Sequence, residues 1–248
     1  MDRKAQRLAD QVGMMKPAWL PMIAASYLIA AGYHGHTAVN DFFHARIELL
    51  CATAVRADYG LYLSPQKSGR LPKPWSGKNV YRQELVSDGG ELALPSIYDL
   101  YAMAHFEPQS DSEKRRVGQV VKYLSHDAFQ SLGKGYMWDP VRRSCHSAEN
   151  VYLACLTPER SLLFTELVAR FPQPRQNAWF KNQISELETF ETDECRFCFP
   201  TEYLKEKRNS YHLYSGSHMG LGENRRKKVW REIESTFRML NIRRLMKA

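Results

Sequence analysis

Apolar residues recur every three or four positions along most of the chain, the spacing that gathers them on one face of an α-helix. Two such stripes predict helices over Ala18 to Ala31 and Val39 to Val55. Between Ser64 and Pro95 the pattern gives way to a proline- and glycine-rich stretch that is too long for an ordinary connection. We therefore expect a single helical domain spanning 1–248, with a long irregular loop or lid at 64–95; a linker is the alternative.

Helical spacing resumes after Pro95. Ser96 is a suitable N-cap for a helix over Ile97 to His105, and Asp111-Ser112 for one over Glu113 to Leu124. Four further helices are predicted, over Ser147 to Ala154, Pro158 to Phe171, Gln176 to Phe190 and Glu223 to Met246. Extended structure is expected only at Arg196 to Phe199, so the fold class is mainly α.

The amino-acid composition indicates the net charge of the protein and the compartment in which we expect it. Lysine and arginine exceed the acidic residues by 35 − 27 = +8, which permits a polyanionic partner without requiring one. An odd number of cysteines, five, favours a reducing compartment, and we expect the cytoplasm. The apolar run from Ala18 to Ala31 is shorter than the roughly 20 residues that span a bilayer, so we predict a buried helix and no transmembrane segment.

A glutamine, a glycine and a tryptophan follow the predicted helix that ends near Leu124: Gln130, Gly135 and Trp138. Their order resembles the Gln…Gly…Trp repeat of the squalene-cyclase and protein-prenyltransferase superfamily, with Gln130 and Trp138 each displaced by one residue. Trp179 to Pro200 is similar to a second, weaker copy. The resemblance covers the C-terminal half and implies paired-helix repeats stacked into an α/α toroid. The alternative is a plain helical bundle with an aromatic turn. The chain is too short for a whole ring, which implies an incomplete ring or assembly with a partner.

The resemblance also implies a central cavity that holds an apolar ligand, with an isoprenoid as the candidate. The aromatic residues best placed to line it are Tyr136, Trp138, Phe190, Phe197 and Phe199. The acidic motifs Asp-x-Asp-Asp and Asp-Asp-x-x-Asp are absent from the sequence, so the two cyclase chemistries lack their usual residues. Whether the chain is an enzyme stays open; if it is one, the resemblance implies a prenyltransferase-like transferase.

A possible zinc site lies further along the chain. Asp193-x-Cys195 followed by Tyr211-His212 is similar to the zinc ligands of the protein prenyltransferases. One carboxylate, one thiolate and one imidazole bind Zn²⁺ tetrahedrally and leave a fourth position for a substrate. Zinc is therefore the candidate cofactor. The alternatives are a turn with buried cysteines and, because Cys198 completes a Cys-x-x-Cys pair, a redox pair.

The glycine-rich stretch from Ser215 to Arg226 precedes the last predicted helix. Glycines let backbone amides approach an anion at a helix start, and Arg225 with Arg226 could clamp a diphosphate there. His218 and Glu223 are the candidate catalytic acid and base. A purely structural entry into the helix is the alternative.

The C-terminal helix carries an apolar stripe, Val229, Ile233, Phe237 and Leu240, among basic residues. We expect the stripe to dock on the core and the basic face to be solvated. The alternative is a helix that binds outward, which makes the protein a non-catalytic helical interaction module whose basic C-terminal helix binds an acidic protein or nucleic acid. We rank nucleic acid below a protein partner, which includes a homo-oligomer.

Overall fold

The computed structural model describes residues 19–85, 93–139, 143–147, 153, 156–205 and 226–247. These residues group into two compact units. The first comprises the chain up to Val120 and then Leu132–Ala154, and the second comprises Val121–Ser131 and the chain from Cys155 onward. The described part is mainly helical, which confirms the expected class. The toroidal arrangement of repeats and the single domain stay predictions.

Nine α-helices and one β-hairpin are present in the described ranges. Those that begin in the first unit are α1 Trp19–Ala30, α2 Thr37–Val55, α3 Pro65–Ser68, α4 Ile97–His105, α5 Asp111–Leu124, β1 Tyr136–Asp139 and β2 Ser144–Ser147. Those of the second unit are α6 Asp127–Gln130, α7 Pro158–Val168, α8 Ala178–Glu188 and α9 Trp230–Lys247.

The core of the first unit forms where α1 packs on α4 and α2. Arg46 of α2 and Asp99 of α4 are both buried there, and the guanidinium holds the carboxylate through Nε–Oδ1 at 2.9 Å and Nη2–Oδ2 at 3.1 Å. Arg46 Nη2 also donates to the Leu94 carbonyl oxygen at 3.1 Å. The remaining capacity of the carboxylate is used by Ser96, whose backbone N–H and hydroxyl both donate to Oδ2.

Ser96 caps α4 as the sequence predicts, in a capping box completed by Asp99. The cap of α5 is different from the expected one. Ser110, and not Asp111-Ser112, accepts from the Glu113 backbone N–H, while the Glu113 carboxylate accepts from the Ser110 N–H. The predicted cap was wrong by one residue, because Ser110 and Ser112 both precede acidic residues. Only Ser110 has a glutamate three residues later, which is what a capping box requires.

The segment after Ser64 is integrated into the first unit by backbone pairing. Tyr62 and Tyr81 form an antiparallel bridge, and Val80 forms a parallel bridge with Tyr136 of β1. The β1–β2 hairpin, with Trp138 opposite Cys145, therefore has further extended chain beside it. This hairpin was not expected, and Ser147, predicted to start a helix, ends β2.

The second unit is built on contacts of α7 with α8 and α9. Arg238 of α9 donates to Glu166 of α7 at 2.9 Å, and Asn241 donates to the other oxygen of the same carboxylate at 2.6 Å. After α8 the chain makes a tight turn closed by a Glu191–Phe197 bridge. Of the extended piece predicted over Arg196 to Phe199, Phe197 is the residue that pairs in this way. The chain then runs alongside α9.

Removing the charge of Asp99 should be strongly destabilising, because it leaves the Arg46 guanidinium buried without its counter-charge. We expect Asp99→Asn to lower the free energy of unfolding by about 3–5 kcal/mol, measured by urea denaturation. Asp111→Asn is the matched control, since the Asp111–Lys114 pair is exposed and exposed pairs contribute less than about 1 kcal/mol. Equal losses in the two variants would contradict this role of the buried pair.

Candidate functional site

The five aromatic residues predicted to line a ligand cavity fall into two groups. Tyr136 and Trp138 lie on β1 in the first unit, and Phe190, Phe197 and Phe199 lie in the second. Their role in holding an apolar ligand stays a prediction.

The phenylalanines of the second unit pack as a cluster. Phe197 and Phe199 are 1% and 0% exposed, and Phe190 meets Phe199 with ring centroids 5.9 Å apart. Tyr203 closes the cluster 5.6 Å from Phe190, and its hydroxyl donates to Glu186. Burial, followed by that hydrogen bond, raises the pKa of Tyr203. The rings thus contact one another in the described structure and contribute to the interior of the unit.

The zinc ligands predicted from the sequence are only partly described. Asp193 and Cys195 are exposed in the turn after α8, where the Cys195 N–H donates to the Thr192 carbonyl oxygen at 3.0 Å. His212 lies outside the described residues. In the ranges that are described, no three His, Cys, Asp or Glu side chains are grouped to hold a metal ion. Zinc binding by this set stays a prediction.

Cys195 has an unusual backbone conformation for its residue type. Its φ is +57°, the left-handed region that β-carbon-bearing residues avoid at a cost of roughly 1–2 kcal/mol. Cys198, three residues on, is half-buried, and its Sγ accepts from Arg231 Nε at 3.0 Å. The two cysteines of the Cys-x-x-Cys pair therefore have different surroundings.

Of the glycine-rich stretch from Ser215 to Arg226, the structure describes only Arg226. His218, Glu223 and Arg225 are not among the described residues, so their predicted catalytic and anion-binding roles stay predictions. Arg226 is described and is exposed in the turn before α9.

The orientation of α9 is opposite to the expected one. Its buried side carries Glu234, Ser235, Arg238, Met239, Ile242 and Leu245. Three of these are polar, and the side chains have specific partners: the Ser235 hydroxyl accepts from the Phe199 N–H and Arg238 binds Glu166. The neighbouring Thr236 hydroxyl likewise accepts from the Phe197 N–H. These bonds fix which face of the helix turns inward.

The apolar stripe of α9 consequently faces solvent, and the expectation that it docks on the core was wrong. Val229, Ile233, Phe237 and Leu240 are 50%, 43%, 49% and 56% exposed. We call these four residues the α9 stripe. Their spacing of four, four and three residues places one apolar side chain per helical turn along a single line. Such a line matches the seam along which two helices pack.

The exposed charges at the two ends of the α9 stripe are positive. The exposed charged residues of this region are Arg226, Lys227, Lys228, Arg244 and Lys247. The acidic residues of the helix are occupied elsewhere: Glu234 is buried against Arg238, and Glu232 contacts Arg196. A partner at this surface therefore meets apolar side chains with positive charge at both ends.

A second surface feature lies in the first unit, at Trp75, Lys78, Lys134 and Tyr136, which we call the aromatic–lysine cluster. The two half-buried rings are 6.0 Å apart and inclined by 56°. Lys78 Nζ is 4.6 Å from the Trp75 ring centre and 5.1 Å from that of Tyr136, and Lys134 Nζ is 5.7 Å from Tyr136. Each exposed cation–π contact contributes about 0.5–1 kcal/mol.

Backbone hydrogen bonds hold this cluster in place. Tyr136 N–H donates to the Asn79 carbonyl oxygen and its own carbonyl accepts from the Tyr81 N–H, both at 2.8 Å. The Tyr81 ring passes so close to Gly135 that a β-carbon there would lie 2.4 Å from it. Cys145, paired with Trp138, is buried; burial raises the pKa of its thiol and the nearby Lys78 charge opposes that rise.

Sequence reasoning missed this cluster because the hairpin was not predicted. The signal was present: Tyr136-Met137-Trp138 has strand-favouring aromatic residues, and Asp139-Pro140 is typical of a turn. The helical-repeat interpretation instead places Trp138, together with Gly135, in the loop of a repeat.

Comparison with protein-family models, curated proteins and solved structures finds no match to this chain. None of the helices in the described ranges is long and apolar enough to cross a membrane.

Substituting Cys195 should distinguish a strained turn from a metal ligand. We expect Cys195→Gly to raise the free energy of unfolding by about 1 kcal/mol, because glycine adopts positive φ without strain. Cys195→Ser is the control that removes the thiol but keeps the β-carbon. If Cys195 binds zinc, both variants will lose metal by elemental analysis and Cys195→Gly will be less stable than the unmodified protein.

The close approach of Tyr81 to Gly135 predicts that a side chain at position 135 destabilises the protein. We expect Gly135→Ala to lower the free energy of unfolding by about 1–3 kcal/mol, because the ring must move to make room. At Gly133 a β-carbon would lie 3.2 Å from the Asn79 side-chain amide, which is able to shift, so Gly133→Ala should have a much smaller effect. Thermal unfolding of the two variants compares them, and an indifferent Gly135→Ala would contradict the packing described.

Proposed function

We propose that the protein is a non-catalytic interaction module, and that α9 binds an acidic amphipathic helix of a protein partner. One observation carries the proposal: the α9 stripe is exposed while polar residues of the same helix are buried. Exposed apolar side chains in a continuous line are characteristic of interaction sites.

The arrangement of the stripe supports a helical partner. A single line of apolar side chains at three- and four-residue spacing fits the complementary line of another helix, each side chain entering a gap on the partner. The four side chains are about half exposed, so completing their burial contributes about 1 kcal/mol each. That is sufficient for a moderate affinity when charges also favour the complex.

Charge supports an acidic partner over a second copy of this chain. In an antiparallel pair of α9 helices, Lys227 and Lys228 of one copy would approach Arg244 and Lys247 of the other, and like charges would repel. An acidic helix instead meets positive charge at both ends of the stripe. Nucleic acid is less well suited, because its phosphates gain nothing from Val229, Ile233, Phe237 and Leu240.

Holding an isoprenoid, the function implied by the family resemblance, stands second to this proposal. Its chemical support depends on His212, His218, Glu223 and Arg225, which are not described. Its aromatic support is split between the two units. The interaction module depends on residues of one described helix.

The proposal predicts binding of a designed acidic peptide. The probe is a helical peptide of about three heptads with leucines along one side and glutamates beside them, and its counterpart carries lysine for glutamate. We expect the acidic peptide to bind and the basic one not to bind, by fluorescence anisotropy. Phe237→Ser should weaken binding about tenfold, or 1.4 kcal/mol, because it removes the largest side chain of the stripe.

Leu28→Ser in α1 is the matched control, an exposed leucine replaced in the first unit, and should leave peptide affinity unchanged. Phe237 is about half buried, so its substitution should lower the free energy of unfolding by about 1 kcal/mol, and binding is measured well below the melting temperature of each variant. Failure of the acidic peptide to bind, or equal binding by Phe237→Ser, would refute the proposal. Tighter binding to phosphatidylserine vesicles than to the peptide would show that α9 binds a membrane surface instead.

A further inference from the structure

The aromatic–lysine cluster of the first unit takes no part in the interaction proposed for α9. It combines two kinds of group, partly exposed aromatic rings and exposed ammonium groups. The ammonium of Lys78 lies within about 5 Å of both ring centres, and that of Lys134 within 6 Å of one. A ligand for this surface must accept both a flat apolar contact and positive charge.

The sign of the charge excludes a cationic ligand. Aromatic rings alone attract ammonium groups, as in sites that bind methylated amines. Here Lys78 already occupies the ring faces, and a further cation would be repelled by it and by Lys134. The cluster therefore suits a flat, anionic ligand, for which Lys78 can exchange its ring contact for a salt bridge.

Positive charge continues beyond the cluster along the chain that carries it. The segment from Ser64 to Arg82 contains five basic residues and no acidic one. They are Lys67, Arg70, Lys73, Lys78 and Arg82. The first four are exposed, and Arg82 is paired with Asp58. Bridges to Tyr62 and to Tyr136 anchor the end of this segment beside β1. A ligand with charges repeated along its length would be attracted along the segment.

A further ring lies in line with the cluster. Trp138 is two residues after Tyr136 on β1, so strand alternation places both side chains on the same face. Their separation along the strand is about 6.6 Å. This is roughly twice the 3.4 Å rise between stacked bases, so adjacent bases of an unstacked strand could each contact a ring.

We propose that this surface binds single-stranded nucleic acid, with bases against Trp75, Tyr136 and Trp138 and phosphates against Lys78 and Lys134. Aromatic platforms beside a basic track are how proteins bind single strands without reading their sequence. A duplex cannot use the rings, because its bases are already stacked and paired. The site accepts DNA and RNA through the same chemistry, and the experiment compares the two.

The test is fluorescence anisotropy of labelled oligo(dT) and oligo(U) of about 12 nucleotides, titrated with the full chain at several salt concentrations. We expect Trp75→Leu and Tyr136→Leu each to weaken binding by about 5- to 150-fold, the range for losing one stacked base. Lys78→Met should reduce the slope of log affinity against log salt by about 0.7, because one phosphate contact is lost. Lys78→Arg should keep the slope, since it keeps the charge.

Two controls separate this site from general positive charge and from α9. Lys122→Met removes an exposed lysine of α5 that belongs to the second unit, and it should not change affinity. Phe237→Ser, which disrupts the α9 stripe, should bind oligonucleotide as the unmodified protein does, so the two proposals succeed or fail separately. Lys78→Met loses the cation–π contacts that Lys78→Arg keeps, so the melting temperature of each variant is measured as well, and the salt slope is the readout that reports the phosphate contact.

Several results would overturn the proposal. Duplex DNA of the same length binding as tightly as the single strand would show that the rings are not used. Displacement of the oligonucleotide by polyglutamate of equal charge would show a purely electrostatic surface that an acidic protein can occupy. Full affinity in Trp75→Leu would rule out stacking at this position. A preference for oligo(dT) or oligo(U) would identify which nucleic acid the site favours.

Discussion

A buried guanidinium cannot be left without a carboxylate, and in both units this constraint determines how the helices pack. Arg46 and Asp99 join α2 to α4 in the first unit, and Arg238 and Glu166 join α9 to α7 in the second. Burying each guanidinium costs several kcal/mol of hydration free energy, roughly, and only a carboxylate held in good hydrogen-bond geometry offsets that cost. Helix orientations that separate the partners are therefore excluded, even where they would bury more apolar surface.

This constraint explains the orientation of α9. By apolar content alone, the side with Val229, Ile233, Phe237 and Leu240 should face the core. The opposite side faces it, because Arg238, Ser235 and Thr236 have partners there that they cannot reach otherwise. A few specific polar bonds thus outweigh an apolar stripe, and the exposed stripe that results is available for binding.

The sequence was sufficient for the features that depend on local patterns. Helical periodicity and the Ser96 cap depend on residues within a few positions of each other, and the structure confirms the mainly helical class and that cap. The sequence was insufficient for features that depend on contacts between residues far apart in the chain. The bridge that places Val80 beside Tyr136 joins residues far apart in the chain, and the orientation of α9 depends on Glu166. Hydrophobic periodicity records neither relation, and three-residue similarities such as Asp193-x-Cys195 do not establish a site without its remaining ligand.

Buried charges and exposed charges have different roles in this protein: the buried ones hold the helices together, and the exposed ones are available for binding. The two buried arginines are paired within their units, so much of the net charge of +8 resides in exposed side chains. Exposed charges add little to stability, because water and salt screen them. At α9 and at the aromatic–lysine cluster, however, they stand beside apolar or aromatic groups whose burial is incomplete. Both surfaces therefore favour partners that combine negative charge with apolar or flat groups, and the residues that provide this are not those that hold the fold.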